Sequence, residues 1–198
     1  MLVPRFHVIT PVVTTRMLRA LVEAGVDAVQ VRDKRADDRA LLAFTVAAIE
    51  AVRPLGARVL VNDRVDLALA AGADGVHLGA DDLPVATARR LAPGLIIGAT
   101  CRNREGAEVA AAEGADYVGV GPVYATTTKT GLPDPLGPDG LAAVGGVLPM
   151  IAIAGIDASR VAAVMAAGAH GIAVVGAVTN ASDPPLAAKE IALALRAA

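Results

Sequence analysis

Short runs of Val, Ile and Leu recur along the chain, each preceded by an Ala-rich stretch that breaks at a glycine. Four copies of one nine-residue pattern make the rhythm plain: EAGVDAVQV (23–31), AAGADGVHL (70–78), AEGADYVGV (112–120) and AAGAHGIAV (166–174). Each predicts a helix stopping at Gly25, Gly72, Gly114 or Gly168, then a short β-branched strand. Glycine closes a helix well because it enters the left-handed conformation without a Cβ penalty. Between the copies stand further strand-like segments, FHVIT (6–10), VLVND (59–63), IIGAT (96–100) and MIAIAG (150–155). Strand and helix thus alternate eight times, which predicts a parallel sheet with right-handed crossovers. An open doubly wound sheet and a closed (βα)8 TIM barrel both satisfy that order. Fourfold self-similarity without a glycine-rich dinucleotide fingerprint favours the barrel, an α/β fold occupying 1–198 as a single domain.

Composition narrows the partners. The formal net charge is -2, and Lys and Arg are scattered, which argues against nucleic acid or an anionic membrane. Aromatic residues make up 2% of the chain, too few for base-stacking platforms. Cys101 is the lone cysteine, which excludes an internal disulfide and a cysteine zinc site. It is expected to be a small buried residue rather than a nucleophile. His7, His77 and His170 share no helix face, so core or lining roles suit them better than metal ligation. No apolar run reaches the ~18 residues of a membrane span, and MLVPRFHVIT lacks a signal-peptide core. A soluble, cytoplasmic protein is expected.

In a barrel of this kind the strand C-termini and the loops after them form the active site. The second strand ends VQVRDK (29–34), and period two puts Gln30, Arg32 and Lys34 on one face and Val29 and Val31 on the other. Two cations with an amide donor suit phosphate oxygens; a strand end salt-bridged to Asp33, Asp37 or Asp38 is the equal alternative. The third strand brings Asn62 and Asp63 to the same rim, and GVHLGADDL (75–83) adds Asp81 and Asp82. Carboxylates beside phosphate-seeking cations suggest a bridging Mg²⁺, which binds through one or two carboxylates plus substrate phosphates. Either aspartate could instead cap the fourth helix, expected near Pro84. The stretch GPVYATTTKTGLPDPLG (121–137) stands out for its threonines, prolines and Lys129. About 14 residues from Tyr124 to Gly137 is long for a strand–helix connection, and long loops at this face tend to be functional. Small residues at the ends of the seventh and eighth strands would let backbone N–H groups approach a phosphate, or would serve close helix–strand packing.

Taken in order, QVRDK (30–34), VNDR (61–64), GVHLGADDL (75–83), GAT (98–100), VGVGPVYATTTKTG (118–131), IAIAGI (151–156) and AVVGAV (173–178) resemble thiamine phosphate synthase. The resemblance runs from the second strand to the eighth, and the T-x-T-K element after G-P is its most specific part. It implies a Mg²⁺-dependent transferase that couples 4-amino-2-methyl-5-(diphosphooxymethyl)pyrimidine to a thiazole phosphate, or its carboxylated form, with loss of pyrophosphate. It further implies that Gln30, Arg32 and Lys34 hold the pyrophosphate with Asn62 beside them, and that Asp63 and Asp82 ligate Mg²⁺. Thr100 would lie near the pyrimidine, where the family usually has serine. Lys129 would contact the diphosphate, and Thr126 and Thr128 the thiazole. Backbone groups at Gly155, Val175 and Gly176 would receive the thiazole phosphate. Catalysis would fall to Lys129, Arg32 and Thr100. Relative to the family pattern, Ala80 replaces glutamine, Ala125 proline, Ala154 glycine and Gly176 serine.

Partners expected on this basis are the two small phosphorylated substrates, with self-association into a homo-oligomer left open, and neither nucleic acid nor membrane. Two other readings share the barrel. A thiazole tautomerase-like isomerase would offer a histidine shortly after the fifth strand, where this chain has TCRNRE (100–105). A non-catalytic protein that binds thiamine phosphate or thiazole phosphate would show no metal-dependent release of pyrophosphate.

Overall fold

The structure, a computed structural model, describes residues 2–128 and 131–198. Eight parallel strands close into a barrel in sequence order: β1 (Phe6–Thr10), β2 (Ala28–Val31), β3 (Arg58–Asn62), β4 (Gly75–Leu78), β5 (Ile96–Cys101), β6 (Tyr117–Val120), β7 (Met150–Ile153) and β8 (Gly171–Val174). Pairing of β1 with both β2 and β8 completes the ring. The helices between them are α1 (Thr15–Glu23), α2 (Asp38–Val52), α3 (Val65–Ala71), α4 (Val85–Leu91), α5 (Arg104–Ala112), α6 (Gly137–Val144) and α7 (Val161–Ala166). After β8 come a single turn, α8 (Gly176–Thr179), and the closing helix α9 (Pro184–Ala197).

The barrel predicted from alternation is present, and the four repeat glycines follow the prediction. Gly25, Gly72, Gly114 and Gly168 all have positive φ at or just past a helix C-terminus. The repeated aspartate has its own task. Asp27, Asp74 and Asp116, each just before an even-numbered strand, accept from the backbone N–H of Phe6, Val59 and Ile97 at 3.0, 2.9 and 2.8 Å. Each carboxylate thereby ties the mouth of one strand to the start of its neighbour. In the fourth copy His170 stands in that position and donates from Nε2 to the Val3 carbonyl at 2.9 Å.

Period two sorts the strands into two cores. Val8, Val29, Val31, Val59, Val61, Val76 and Val118 face the helices, while Ile9, Ala28, Leu60, Ile96, Tyr117, Ile151 and Ala173 fill the barrel. Tyr117 is the largest fully buried side chain, and glycine on the next strand makes room for it. A Cβ placed on Gly98 would overlap the Tyr117 ring. The runs YVGVGPV (117–123) and IAVVGAV (172–178) read as longer strands than form. The sixth strand stops at Val120, because Pro122 has no N–H for the ladder, and the eighth stops at Val174, with Gly176 opening α8 instead.

Candidate active site

Strand ends on the C-terminal side surround one cavity of about 880 Å³, in the range of small-molecule sites. From β2, Gln30, Arg32 and Lys34 all reach it, as alternation requires. Gln30 is 2% exposed, and its Oε1 has no hydrogen-bond partner among the described residues. A buried amide oxygen left unpaired is costly, so the position calls for a donor supplied from outside the chain. The salt-bridged alternative for Arg32 and Lys34 is not what forms. Asp33 accepts from the Val12 and Arg35 amides, Asp37 caps α2 through the Ala40 amide, and Asp38 pairs with Arg64 at 2.6 Å. Among the described residues, neither Arg32 nor Lys34 has a carboxylate within ion-pair distance.

Asn62, Asp63, Asp81 and Asp82 line the next arc of the cavity. Asp63 has φ 65°, a left-handed conformation that aspartate tolerates better than most residues, and its N–H bonds to the His77 carbonyl at 2.8 Å. Asp82 turns its Oδ2 onto the Gly79 amide at 2.6 Å. Any Cβ on Gly79 would stand 2.8 Å from that oxygen, so glycine permits the approach. Neither Asp81 nor Asp82 caps α4: its N-cap is Pro84, which makes no side-chain cap bond. Partial burial pushes the Asp63 carboxyl up to about 6, and the adjacent Asp82 carboxyl adds to this while Arg32 and Lys34 oppose it. Two carboxylates crowded together beside two cations form an electrostatic frame that a divalent ion would relieve. Among the described residues no cluster of three or more His, Cys, Asp or Glu exists, so an ion held here would draw its other ligands from substrate oxygens and water, as Mg²⁺ does.

Beneath this rim a niche of about 60 Å³ continues into the barrel, bounded by Gln30, His77, Thr100, Tyr117 and Gly119. His77 contacts the Tyr117 hydroxyl through Nδ1 and the Thr100 hydroxyl through Nε2, both at 3.0 Å. Burial pushes the His77 imidazole down to about 4, so it is neutral and donates from one nitrogen while accepting at the other. His7, also buried and pushed down to about 4, donates to the Pro4 carbonyl. Cys101 is buried with its thiol pushed up to about 11 by desolvation, an unreactive state.

The connection after β6 lies over the cavity through Ala125, Thr126, Thr127 and Thr128. The Thr126 hydroxyl accepts from the Thr128 amide at 3.3 Å. Lys129 falls outside the described residues. Gly155, Val175 and Gly176 line the β7–β8 side, where a Cβ on Gly176 would meet Thr128 Oγ1 at 3.3 Å. Arg102, which occupies the stretch where the tautomerase branch carries histidine, does not line the cavity; its Nη2 donates to the Asp134 carbonyl at 2.7 Å. Three lining residues carry no motif signal, namely Tyr117 in the niche and Arg160 and Asn180 on the β7–β8 side. A lone tyrosine in a strand reads as core, and a lone arginine or asparagine after a strand reads as surface.

Comparison with known proteins converges on one family. The family model described as thiamine monophosphate synthase matches residues 8–178. A relative from Symbiobacterium thermophilum, named thiamine biosynthesis bifunctional protein ThiM/ThiE, is 50% identical over 178 residues. That alignment covers 88% of this chain but 37% of the longer protein. A thiamine-phosphate synthase from Methanoculleus marisnigri is 48% identical over 184 residues, covering 89% of this chain and 85% of its own. Among solved structures, thiamine phosphate pyrophosphorylase from Pyrococcus furiosus superposes with a TM-score of 0.89 at 34% identity, covering 98% of this chain and 96% of that one. The chain belongs to the thiamine monophosphate synthase family and is a transferase of that class.

Proposed function

We propose that the cavity joins a pyrimidine carrying a diphosphooxymethyl group to a thiazole phosphate, releasing pyrophosphate. Breaking the carbon–oxygen bond of a diphosphate ester requires that the departing charge be neutralised, which is positioning and electrostatics rather than nucleophilic attack. Arg32 and Lys34, free of carboxylate partners among the described residues, are suited to grip the diphosphate with Asn62 on the same rim, and the resemblance would add Lys129. Asp63 and Asp82 would hold Mg²⁺, which when bound supplies further neutralisation of the leaving diphosphate. The pyrimidine ring would enter the niche from the cavity above it. There the unpaired Oε1 of Gln30 can accept from its exocyclic amine, a placement deeper than the diphosphate contact the resemblance implies, while Thr100 is held in place by His77. Loss of pyrophosphate leaves a cation-like methylene carbon, and the thiazole nitrogen attacks it to give thiamine phosphate.

On the opposite side, Thr126 and Thr128 would orient the thiazole, and backbone groups at Gly155, Val175 and Gly176 would receive its phosphate. The threonine residues Thr126–Thr128 line the cavity and would limit water at the reacting carbon. Both substrates carry phosphate charge, which does not cross a bilayer unaided, and this supports a cytoplasmic reaction. The carrying observation is the crowded Asp63–Asp82 pair beside Arg32 and Lys34 on one cavity wall. The test is a pyrophosphate-release assay with both substrates, with and without chelator. Release that needs both substrates and stops with the chelator is the expected result; release unaffected by chelation would overturn the metal assignment, and no release would overturn the reaction.

A further inference from the structure

The β7–β8 side of the cavity holds a cation for which the reaction above has no use. Arg160 closes the short 3-10 turn Ala158–Arg160 after β7 and lines the cavity. Two contacts fix its guanidinium: Nη1 donates to the Gly155 carbonyl, and Cζ sits 4.6 Å from the centroid of the Tyr124 ring. Nothing among the described residues neutralises it within ion-pair distance. The nearest acid in sequence, Asp157, lines the same cavity and feels the Arg160 charge without forming an ion pair; its Oδ1 accepts from the Ser159 amide and hydroxyl at 3.0 and 2.6 Å. A guanidinium has five N–H donors, so a side chain anchored through one of them and stacked on an aromatic face presents the rest ready-aimed.

Other donors gather on the same wall. Asn180 lines the cavity with its Nδ2 free of a hydrogen bond among the described residues, while the Thr179 hydroxyl donates to the Val175 carbonyl at 3.1 Å and lies 3.5 Å from Asn180 Oδ1. A Cβ built on Gly176 would find that Nδ2 at 3.1 Å and Thr128 Oγ1 at 3.3 Å, so amide and hydroxyl converge where a glycine leaves space. This wall belongs to β7 and β8, across the closed barrel from the β2–β4 arc that carries Arg32, Lys34, Asp63 and Asp82. The two ends of the cavity therefore suit two separate anions.

We propose that Arg160 is a direct side-chain contact for the phosphate of the thiazole substrate and sets the preference for the phosphorylated over the unphosphorylated thiazole. The inference rests on the reaction proposed above and adds the residue that reads one substrate's anionic end. To the glycine-lined backbone an anchored guanidinium adds charge and two-point geometry.

Arg160→Gln and Arg160→Lys, compared with the unmodified enzyme, give the test. Initial rates of pyrophosphate release are measured with thiazole phosphate or the unphosphorylated thiazole alcohol varied at saturating pyrimidine diphosphate, and with the pyrimidine varied at saturating thiazole phosphate. Arg160→Gln should raise KM for thiazole phosphate by ~10-fold or more, the usual size of a lost charge-assisted contact. KM for the pyrimidine and kcat/KM for the alcohol should stay within about twofold, since neither meets the guanidinium, and Arg160→Lys should restore part of the preference. Equal losses on both thiazoles would mean that Arg160 only braces Tyr124 and Gly155, and unchanged kinetics would mean no contact; each overturns the proposal. Should the unmodified enzyme release no pyrophosphate, the proposed reaction fails. Calorimetric titration with thiazole phosphate still decides the Arg160 contact: binding ~10-fold weaker in Arg160→Gln supports it, and equal binding overturns it.

Discussion

Replacing Asp82 with asparagine should make the metal-free protein more stable while abolishing its response to Mg²⁺. In the folded chain Asp63 is held at about 6 against an ordinary 3.8, first by desolvation and then by the Asp82 carboxyl next to it. A carboxyl raised in this way favours folding below the unfolded value, and the contribution is lost as pH rises through about 6; at pH 8 Asp63 carries its charge next to the Asp82 carboxyl. The full rise would correspond to ~3 kcal/mol. Asp63 is only half withdrawn from water, and desolvation would persist after the substitution. About 1 kcal/mol is therefore the recoverable part. For a chain of this size that is a gain of ~2–4 °C in Tm at pH 8 with chelator present. Asparagine keeps an oxygen for the Gly79 amide, so the local turn survives. Mg²⁺, by contrast, should stabilise the unmodified protein at pH 8, do so much less at pH 5 where Asp63 is protonated, and do nothing for the variant. Thermal melts with chelator or millimolar MgCl2 at both pH values measure all three effects. A metal-free variant that melts below the unmodified protein, or one still stabilised by Mg²⁺, would refute the reasoning.

Two further substitutions test the frame that carries the site. Gly98→Ala puts a methyl group into the buried Tyr117 ring, which its bond to His77 restrains from moving; destabilisation of ~3 kcal/mol, seen as a fall of ~6–12 °C in Tm, is expected. Ala154, where the family pattern has glycine, sits at φ 80°. Left-handed geometry costs a residue with a Cβ ~1–2 kcal/mol and glycine loses ~0.5–1 kcal/mol of that in chain entropy, so Ala154→Gly should stabilise by ~0.5–1 kcal/mol in denaturant unfolding.

The barrel was legible because two signals of different origin agree along the chain. Gly25, Gly72, Gly114 and Gly168 mark helix ends through a backbone requirement, and the strands after them alternate through side-chain burial. The same alternation is why Gln30, Arg32 and Lys34 could be placed on one face before any coordinates, and why Asn62, Asp63 and Asp82 could be expected at the same rim. What local pattern cannot express is partnership across the barrel. The Asp82 bond to the Gly79 amide is a local turn, but its crowding against the left-handed Asp63 comes from the neighbouring strand end and has no sequence signature. Arg160 shows the same limit more sharply. Its anchors, Gly155 and Tyr124, come from the ends of β7 and β6, so its role depends on two strands meeting, not on the residues that flank it. Family motifs mark the contacts that relatives hold in common. A substrate preference particular to this chain is more readily written in such isolated charges, visible once closure of the barrel brings their anchors together.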